Sequence, residues 1–146
     1  MRARLVLVLL ASWLVSGCTV QVDPYPTAPG TRLDCIGLLG DLPPTVAGQK
    51  RREVADDVAG AWGDPPIVLR CGVEKPEALR PNSPCHEVNG VGWLAEKQSD
   101  GWLFTTIGRE HYVSLEVPSD YRPESDALAD VADVVARHLP VTKPCV

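Results

Sequence analysis

Basic and aromatic side chains are scarce in this 146-residue chain. It carries 14 Lys and Arg against 19 Asp and Glu, a formal charge of −5, and has one Phe and three Tyr. The basic residues form no stripe interleaved with aromatics, so the chain lacks the surface that nucleic acid binding requires. Past the N-terminus no apolar run approaches the ~18 residues of a transmembrane helix, and 45% apolar residues are too many for a disordered chain. These observations predict one globular domain without a nucleic acid partner.

Motifs of the common catalytic and metal sites are missing as well. The chain has no GxSxG elbow, HExxH, P-loop, GxGxxG or CxxC pattern. It therefore gives no reason to expect a cofactor, and the lack of CxxC argues against a thioredoxin-like role. A zinc site would need Cys71, Cys85 and His86 to meet without the usual ligand spacing. We expect no metal.

The N-terminus is typical of a secretory signal with a lipid attachment site. Arg2 and Arg4 give a positive start, and residues 5–15 form an apolar stretch of the length that signal peptides use. Residues 15–18 (VSGC) resemble the bacterial lipobox, in which the cysteine is acylated and cleavage falls just before it. We therefore predict a signal peptide at 1–17 and lipidation of Cys18.

Cleavage before Cys18 would leave 129 residues with a formal charge of −7. Such an acidic chain is not attracted to an anionic membrane surface, so the lipid must provide the anchoring. Residues 18–32 contain three prolines and are predicted to be an extended tether, and residues 33–146 a single domain. The expected location is the extracytoplasmic face of the cell membrane, with release of a fraction left open.

Five cysteines minus the acylated Cys18 leave an even number in a chain predicted to reach an oxidising compartment. Two disulfides are therefore expected among Cys35, Cys71, Cys85 and Cys145. Three pairings are open. We favour Cys71 with Cys85, which closes a loop of roughly 15 residues worth ~3 kcal/mol, and Cys35 with Cys145, which ties the domain ends together.

The spacing of apolar residues predicts an α+β domain. Side-chain alternation and turn signals such as Asn89-Gly90 indicate strands, and apolar spacing of three and four near the C-terminus indicates a helix. The predicted elements are a short helix at 35–39, an extended segment at 49–57, strands at 66–73, 91–97, 102–107 and 111–117, and a helix from 125 to 139 capped by Ser125. We expect a largely antiparallel sheet of four or five strands with the C-terminal helix packed on one face.

Five residues make up a candidate ligand surface. Trp62 and Trp93 are expected in the core, because a chain with one Phe needs its tryptophans there, although exposed indoles would stack on sugars or fill a partner's pocket. Arg70 faces away from the apolar side of its strand and Arg109 lies in a turn, so together they would contact an anion or carboxylate. Asp64, in the turn before the Arg70 strand, completes the surface.

Catalytic arrangements are harder to assemble. A Ser-His-Asp site would use Ser114 and His111 with Asp64 or Asp120, but Ser114 and His111 have opposite parity on one predicted strand and point to opposite faces. Carboxylate pairs for glycoside hydrolysis are available, yet nothing distinguishes them from a solvated acidic face. Their members would come from Glu87, Glu96, Glu110 and Glu116. We therefore predict no catalytic residues.

A family resemblance rests mainly on residues 61–73 (AWGDPPIVLRCGV). Supporting segments lie at 90–91 (GV), 93–94 (WL), 104–106 (FTT) and 108–109 (GR). Together they resemble the actinobacterial secreted and lipoprotein family called domain of unknown function 3515, over about residues 33–139. The resemblance implies an actinobacterial cell envelope and no assigned catalytic residue.

Three functional hypotheses follow. The first is a non-catalytic, lipid-anchored envelope domain that binds a protein or a cell-wall component. The second is an envelope enzyme, a hydrolase or transferase that acts on cell-wall precursors. The third, a metal or redox protein, requires free thiols at Cys71 and Cys85.

Overall fold

A computed structural model describes residues 19–55 and 58–145, so the predicted signal peptide and Cys18 lie outside the described residues. Within these ranges the chain forms two helices and eight strands. They are α1 (Arg32–Gly40), β1 (Thr45–Val46), β2 (Gln49–Arg52), β3 (Ala59–Trp62), β4 (Ile67–Val73), β5 (His86–Val88), β6 (Val91–Gln98), β7 (Gly101–Ile107), β8 (Tyr112–Val117) and α2 (Ser125–His138). No helix in the described ranges is long and apolar enough to cross a membrane.

The strands form one antiparallel sheet in the order β1-β2-β3-β4-β8-β7-β6-β5. The α+β class and the three consecutive strands β6, β7 and β8 are confirmed. The expected number of four or five strands is wrong, because β1, β3 and β5 have only two to four residues. Strands this short carry too little alternation to be recognised, and they form by pairing with a neighbour that is already in place.

Both helices contribute to a core on one face of the sheet. The stripe of α2 that includes Val131 and Val135 packs with Val113 and Leu115 of β8, and all four are fully buried. The predicted C-terminal helix packed on one face is therefore confirmed. Ser125 begins the helix without capping it, because the N-cap position belongs to the preceding residue and shows no side-chain cap.

The disulfides join Cys35 to Cys71 and Cys85 to Cys145, so the favoured pairing is wrong. Cys71 lies on the core face of β4, where it meets α1. Cys85 directly precedes β5, four strands away across the sheet, a distance of roughly 19 Å at the usual strand spacing. Cys71 and Cys85 are therefore far apart in the structure although they are only 14 positions apart in the sequence. With all four thiols paired, the redox hypothesis loses the free thiols that it requires.

A bulge in β4 brings α1 close to the sheet. The register against β8 shifts between Cys71 and Val73, and Gly72 has a φ of +75°. A Cβ at Gly72 would lie 2.4 Å from Oγ1 of Thr31, so this close approach requires glycine. The extra residue also turns Val73 away from the core face on which the sequence placed it.

The predicted tether is attached to the domain over most of its length. Val20 donates to Glu53 O at 2.8 Å and accepts from the Ala55 amide, and the Ala28 amide donates to Gly72 O at 2.8 Å. In an isolated extended, Pro-rich segment, these backbone N–H and C=O groups would hydrogen-bond to water; here they bond to the domain.

Val20 also fixes where this segment lies. It is 6% exposed and packs with Ala61 and Val68 on the sheet face opposite the helices. The prediction of an extended tether at residues 18–32 is therefore corrected for residues 20–31, because an apolar side chain and several backbone bonds hold them to the domain.

Candidate functional site

A groove of about 480 Å³ lies on the sheet face that the helices leave uncovered. Its floor consists of the outward side chains of β4, β8, β7 and β6, which alternate with core residues along each strand. One wall is the attached N-terminal segment from Asp23 to Pro26, and another is the end of β4 with Pro76. The volume falls within the roughly 300–1,000 Å³ of small-molecule sites.

Two hydroxyl groups lie side by side on the floor. Thr105 on β7 is directly opposite Ser114 on β8, and the two residues are 2% and 4% exposed. Within the described ranges neither hydroxyl has a hydrogen-bond partner. Thr106 on the core side differs, because its Oγ1 accepts the amide of Val113 at 3.0 Å. The floor therefore presents two largely buried residues whose hydroxyls open onto the groove, with hydrogen-bonding capacity still available.

An ion pair and an aromatic ring form one side of the groove. Nη1 of Arg70 donates to Oε2 of Glu116 at 2.9 Å. The guanidinium also lies over the ring of Tyr25, 5.6 Å from its centroid, and the Tyr25 hydroxyl donates to Val58 O at 2.8 Å. These contacts join the N-terminal segment to β4 and hold the ring in place as a wall.

The remaining charges around the groove are acidic. Asp23, Glu74, Glu96 and Asp100 all line it, and among the described residues of the lining Arg70 is the only basic one. The side chain of Ser119 donates to Asp100 at 2.6 Å. In the described part of the chain no cation lies within ion-pair distance of Asp23, Glu74 or Glu96.

The two tryptophans of the predicted ligand surface lie in the core, as expected for a chain with only one Phe. Trp62 and Trp93 are both 0% exposed. Nε1 of Trp62 donates to Pro43 O at 2.9 Å, whereas Nε1 of Trp93 has no partner among the described residues. Neither indole is available to stack on a ligand at the surface.

The two arginines do not share a surface. Arg109 is 6% exposed and donates to the carbonyl of Leu139 and, at 2.8 Å, to that of Gly90. It thus caps the C-terminus of α2, where the helix dipole favours a cation, while burial lowers the pKa of its guanidinium. Arg70 alone of the five predicted residues lines the groove, and Asp64 is an exposed turn residue 3.8 Å from Arg52.

The catalytic alternatives also separate in the structure. Ser114 faces the groove, but Nε2 of His111 pairs with Oδ2 of Asp34 on α1 at 2.9 Å. Glu96 and Glu116 share the groove face, with Leu103 between them in the strand register. Their backbones are thus roughly 10 Å apart, and Arg70 already neutralises Glu116.

The floor hydroxyls were missed for a definite reason. Alternation along β8 placed Ser114 and Glu116 on the outward face, which is confirmed, but outward positions are normally in contact with bulk water. Only the attachment of residues 20–31 turns that face into a groove. A signal existed in Val20 and Tyr25, which are apolar or aromatic side chains within a Pro-rich segment.

The fold and the groove define a disulfide-linked α+β domain with helices on one face of its sheet and a ligand-sized depression on the other. Its floor and rim carry groups suited to binding. The chain belongs to the family described as Protein of unknown function (DUF3515), whose model matches residues 3–144. The match confirms the resemblance and extends it beyond residues 33 and 139. Neither a curated protein nor a solved structure matches the chain.

Proposed function

We propose that this chain is a lipid-anchored protein on the extracytoplasmic face of an actinobacterial cell membrane, and that it acts as a non-catalytic binding domain. The observation that carries the binding role is the groove, whose floor holds two largely buried residues, Thr105 and Ser114, with hydroxyls that open onto the groove and have no partners among the described residues. Hydroxyls that open onto a groove can donate to a bound ligand or accept from it in place of water.

The anchoring role is supported by the VSGC sequence at residues 15–18 and by two disulfides, which favour an oxidising compartment. Because Val20 is fixed to the sheet, an acyl group such as palmitate on Cys18 would leave two residue steps, about 7 Å, between the anchor and the domain. The wall formed by residues 23–26 would then hold the groove close to the bilayer. The partner would be an envelope protein or a cell-wall component.

The binding role is preferred to the enzyme hypothesis for a geometric reason. The groove hydroxyl of Ser114 has no imidazole beside it, since His111 pairs with Asp34 on the helix side, and Glu116 is held by Arg70. A nucleophile with its base would need His111 on the groove face beside Ser114, and the pair Glu96 and Glu116 has one member neutralised by Arg70.

The anchor is tested by metabolic labelling with an alkyne-tagged palmitate in a bacterium that processes lipoproteins. We expect the chain to take up label and to sediment with membranes, and Cys18→Ala to lose both. Ser16→Ala, which keeps a small residue in the lipobox, is the matched control and should behave like the natural chain. Label that persists in Cys18→Ala would show that the anchor is elsewhere.

The binding site is tested by native mass spectrometry of the protein extracted gently from its own membranes. We expect an additional non-covalent mass on the natural chain and its loss in Leu103→Trp, which fills the groove. Leu33→Trp is the matched control, because Leu33 is 82% exposed on α1. If Leu103→Trp retains the additional mass, the ligand binds elsewhere. If the natural chain and both variants carry no additional mass, the proposal that the groove is occupied in the cell is refuted.

A further inference from the structure

The charge of the groove limits what it can bind. The described residues of its lining have a formal excess of four negative charges, from five carboxylates and the guanidinium of Arg70. That guanidinium is already occupied by Glu116 and the Tyr25 ring. Among these described residues an anionic ligand would therefore meet carboxylates and no free cation, whereas a cation would be attracted by several carboxylates at once.

The floor supplies a second and independent indication. Thr105 and Ser114 are each more than nine-tenths buried, line the groove, and lack hydrogen-bond partners in the described ranges. A primary ammonium group has three N–H donors and no acceptor, so it can donate to both hydroxyl oxygens and still reach a carboxylate. Glu116, two residues beyond Ser114, is the nearest carboxylate along the sheet, but Arg70 already pairs with it. The next along the strands is that of Glu96, two residues beyond Leu94, which lies opposite Thr105.

The walls are suited to an aliphatic stem. Leu103, the Tyr25 ring and Pro24, Pro26 and Pro76 contribute apolar surface between the carboxylates. The contact of Arg70 with Tyr25 shows that this ring already holds one cation against its face. A charged head on an apolar stem uses both kinds of surface, as lysine side chains do at protein surfaces.

We propose that the groove binds a primary alkylammonium group on an aliphatic stem, with Glu96 as its counter-ion and the hydroxyls of Thr105 and Ser114 as hydrogen-bond acceptors. This inference rests on the binding function proposed above. A free diamine and a lysine-type side chain on a short peptide present the same chemistry, and the experiment separates them.

The test is titration calorimetry on the full mature chain in detergent with three probes of equal chain length. These are 1,5-diaminopentane, the neutral 1,5-pentanediol and the anionic pentanedioate. We expect saturable binding of the diamine only, weakened as ionic strength rises from about 0.1 M to 1 M, because the Debye length falls from about 10 Å to 3 Å. The N-terminally acetylated peptide Gly-Lys-Gly, and the same peptide with its lysine side chain also acetylated, identify whether a lysine amine is accepted.

Variants locate the binding. We expect Glu96→Gln to raise the Kd of the diamine about five- to tenfold, the effect of removing a partly exposed charged acceptor. Thr105→Val, which keeps the side-chain shape, should also weaken binding. Glu110→Gln removes the same charge at an exposed position outside the groove and should leave the Kd unchanged.

The outcomes distinguish this inference from the binding function. Equal affinity for the diamine and the diol, or for the two peptides, would overturn the ammonium ligand while leaving a groove that binds. The same Kd in Glu96→Gln and the natural chain would overturn the role of that carboxylate. Lack of saturable binding by every amine would overturn the inference, and the native mass spectrum would then decide the binding function separately.

Discussion

Removal of either disulfide tests both the connectivity and its energetic role. Cys35 and Cys71 are separated by 36 positions and Cys85 and Cys145 by 60, for which the chain-entropy model gives about 4 kcal/mol each. Cys35 and Cys71 are also buried, at 1% and 0% exposed, so Ala at both positions loses packing worth roughly another 1–2 kcal/mol. We therefore expect Cys35→Ala/Cys71→Ala to be the more destabilised double variant.

The assay combines peptide mapping with thermal unfolding. Digestion without reduction should release a peptide pair that links Cys35 to Cys71, and a second pair that links Cys85 to Cys145. A loss of 4 kcal/mol lowers the Tm of a domain of this size by about 15 °C, and the Cys35→Ala/Cys71→Ala variant should fall further. A peptide pair linking Cys71 to Cys85, or Tm values within about 5 °C of the natural chain, would refute the reasoning.

Three further predictions follow from single side chains. Arg109→Met should lower the free energy of unfolding by about 2–4 kcal/mol in urea titrations, because the carbonyls of Leu139 and Gly90 lose their charged donor; no change would contradict the capping role. Val20→Asp should release the N-terminal segment and expose residues 20–31 to limited proteolysis, and unchanged protection would show that the backbone bonds alone hold it. Burial, the largest cause, raises the pKa of Tyr121 above 10.0, so its stability contribution persists below that pH and is lost as pH rises past the raised value. Tyrosinate absorbance and unfolding should both show this loss, and Tyr121→Phe should remove it.

The elements that the sequence predicted are those with strong local periodicity. The alternation of Val113, Leu115 and Val117 sets the core face of β8, and the spacing in residues 128–139 sets the buried stripe of α2. The positive φ values of Asn89 and Gly90 also agree with the turn predicted between β5 and β6. Each of these features depends on neighbours within a few residues.

The candidate site was predicted less well than the fold. Of the five ligand-surface residues only Arg70 lines the groove, since Trp62, Trp93 and Arg109 are buried and Asp64 lies in a turn. The sequence placed Ser114 correctly on the outward face, but it gave no means of knowing that another segment walls that face. The fold elements depend on residues close in sequence, whereas the groove depends on contacts between distant ones. Tyr25, for example, contacts Arg70 and Val58, which are more than thirty residues away along the chain.

The sequence by itself determined the family, the α+β class, the orientation of side chains along β8 and the helix α2, because composition and periodicity act through local geometry. It also determined that the described cysteines form two pairs, since their number is even. Only the tertiary structure decided which cysteines pair, because β4 and β5 are near in sequence and four strands apart in the sheet. It likewise decided that residues 20–31 are attached to the domain and that residues 23–26 wall the groove, because burial of Val20 and backbone pairing with distant strands hold this Pro-rich segment in place.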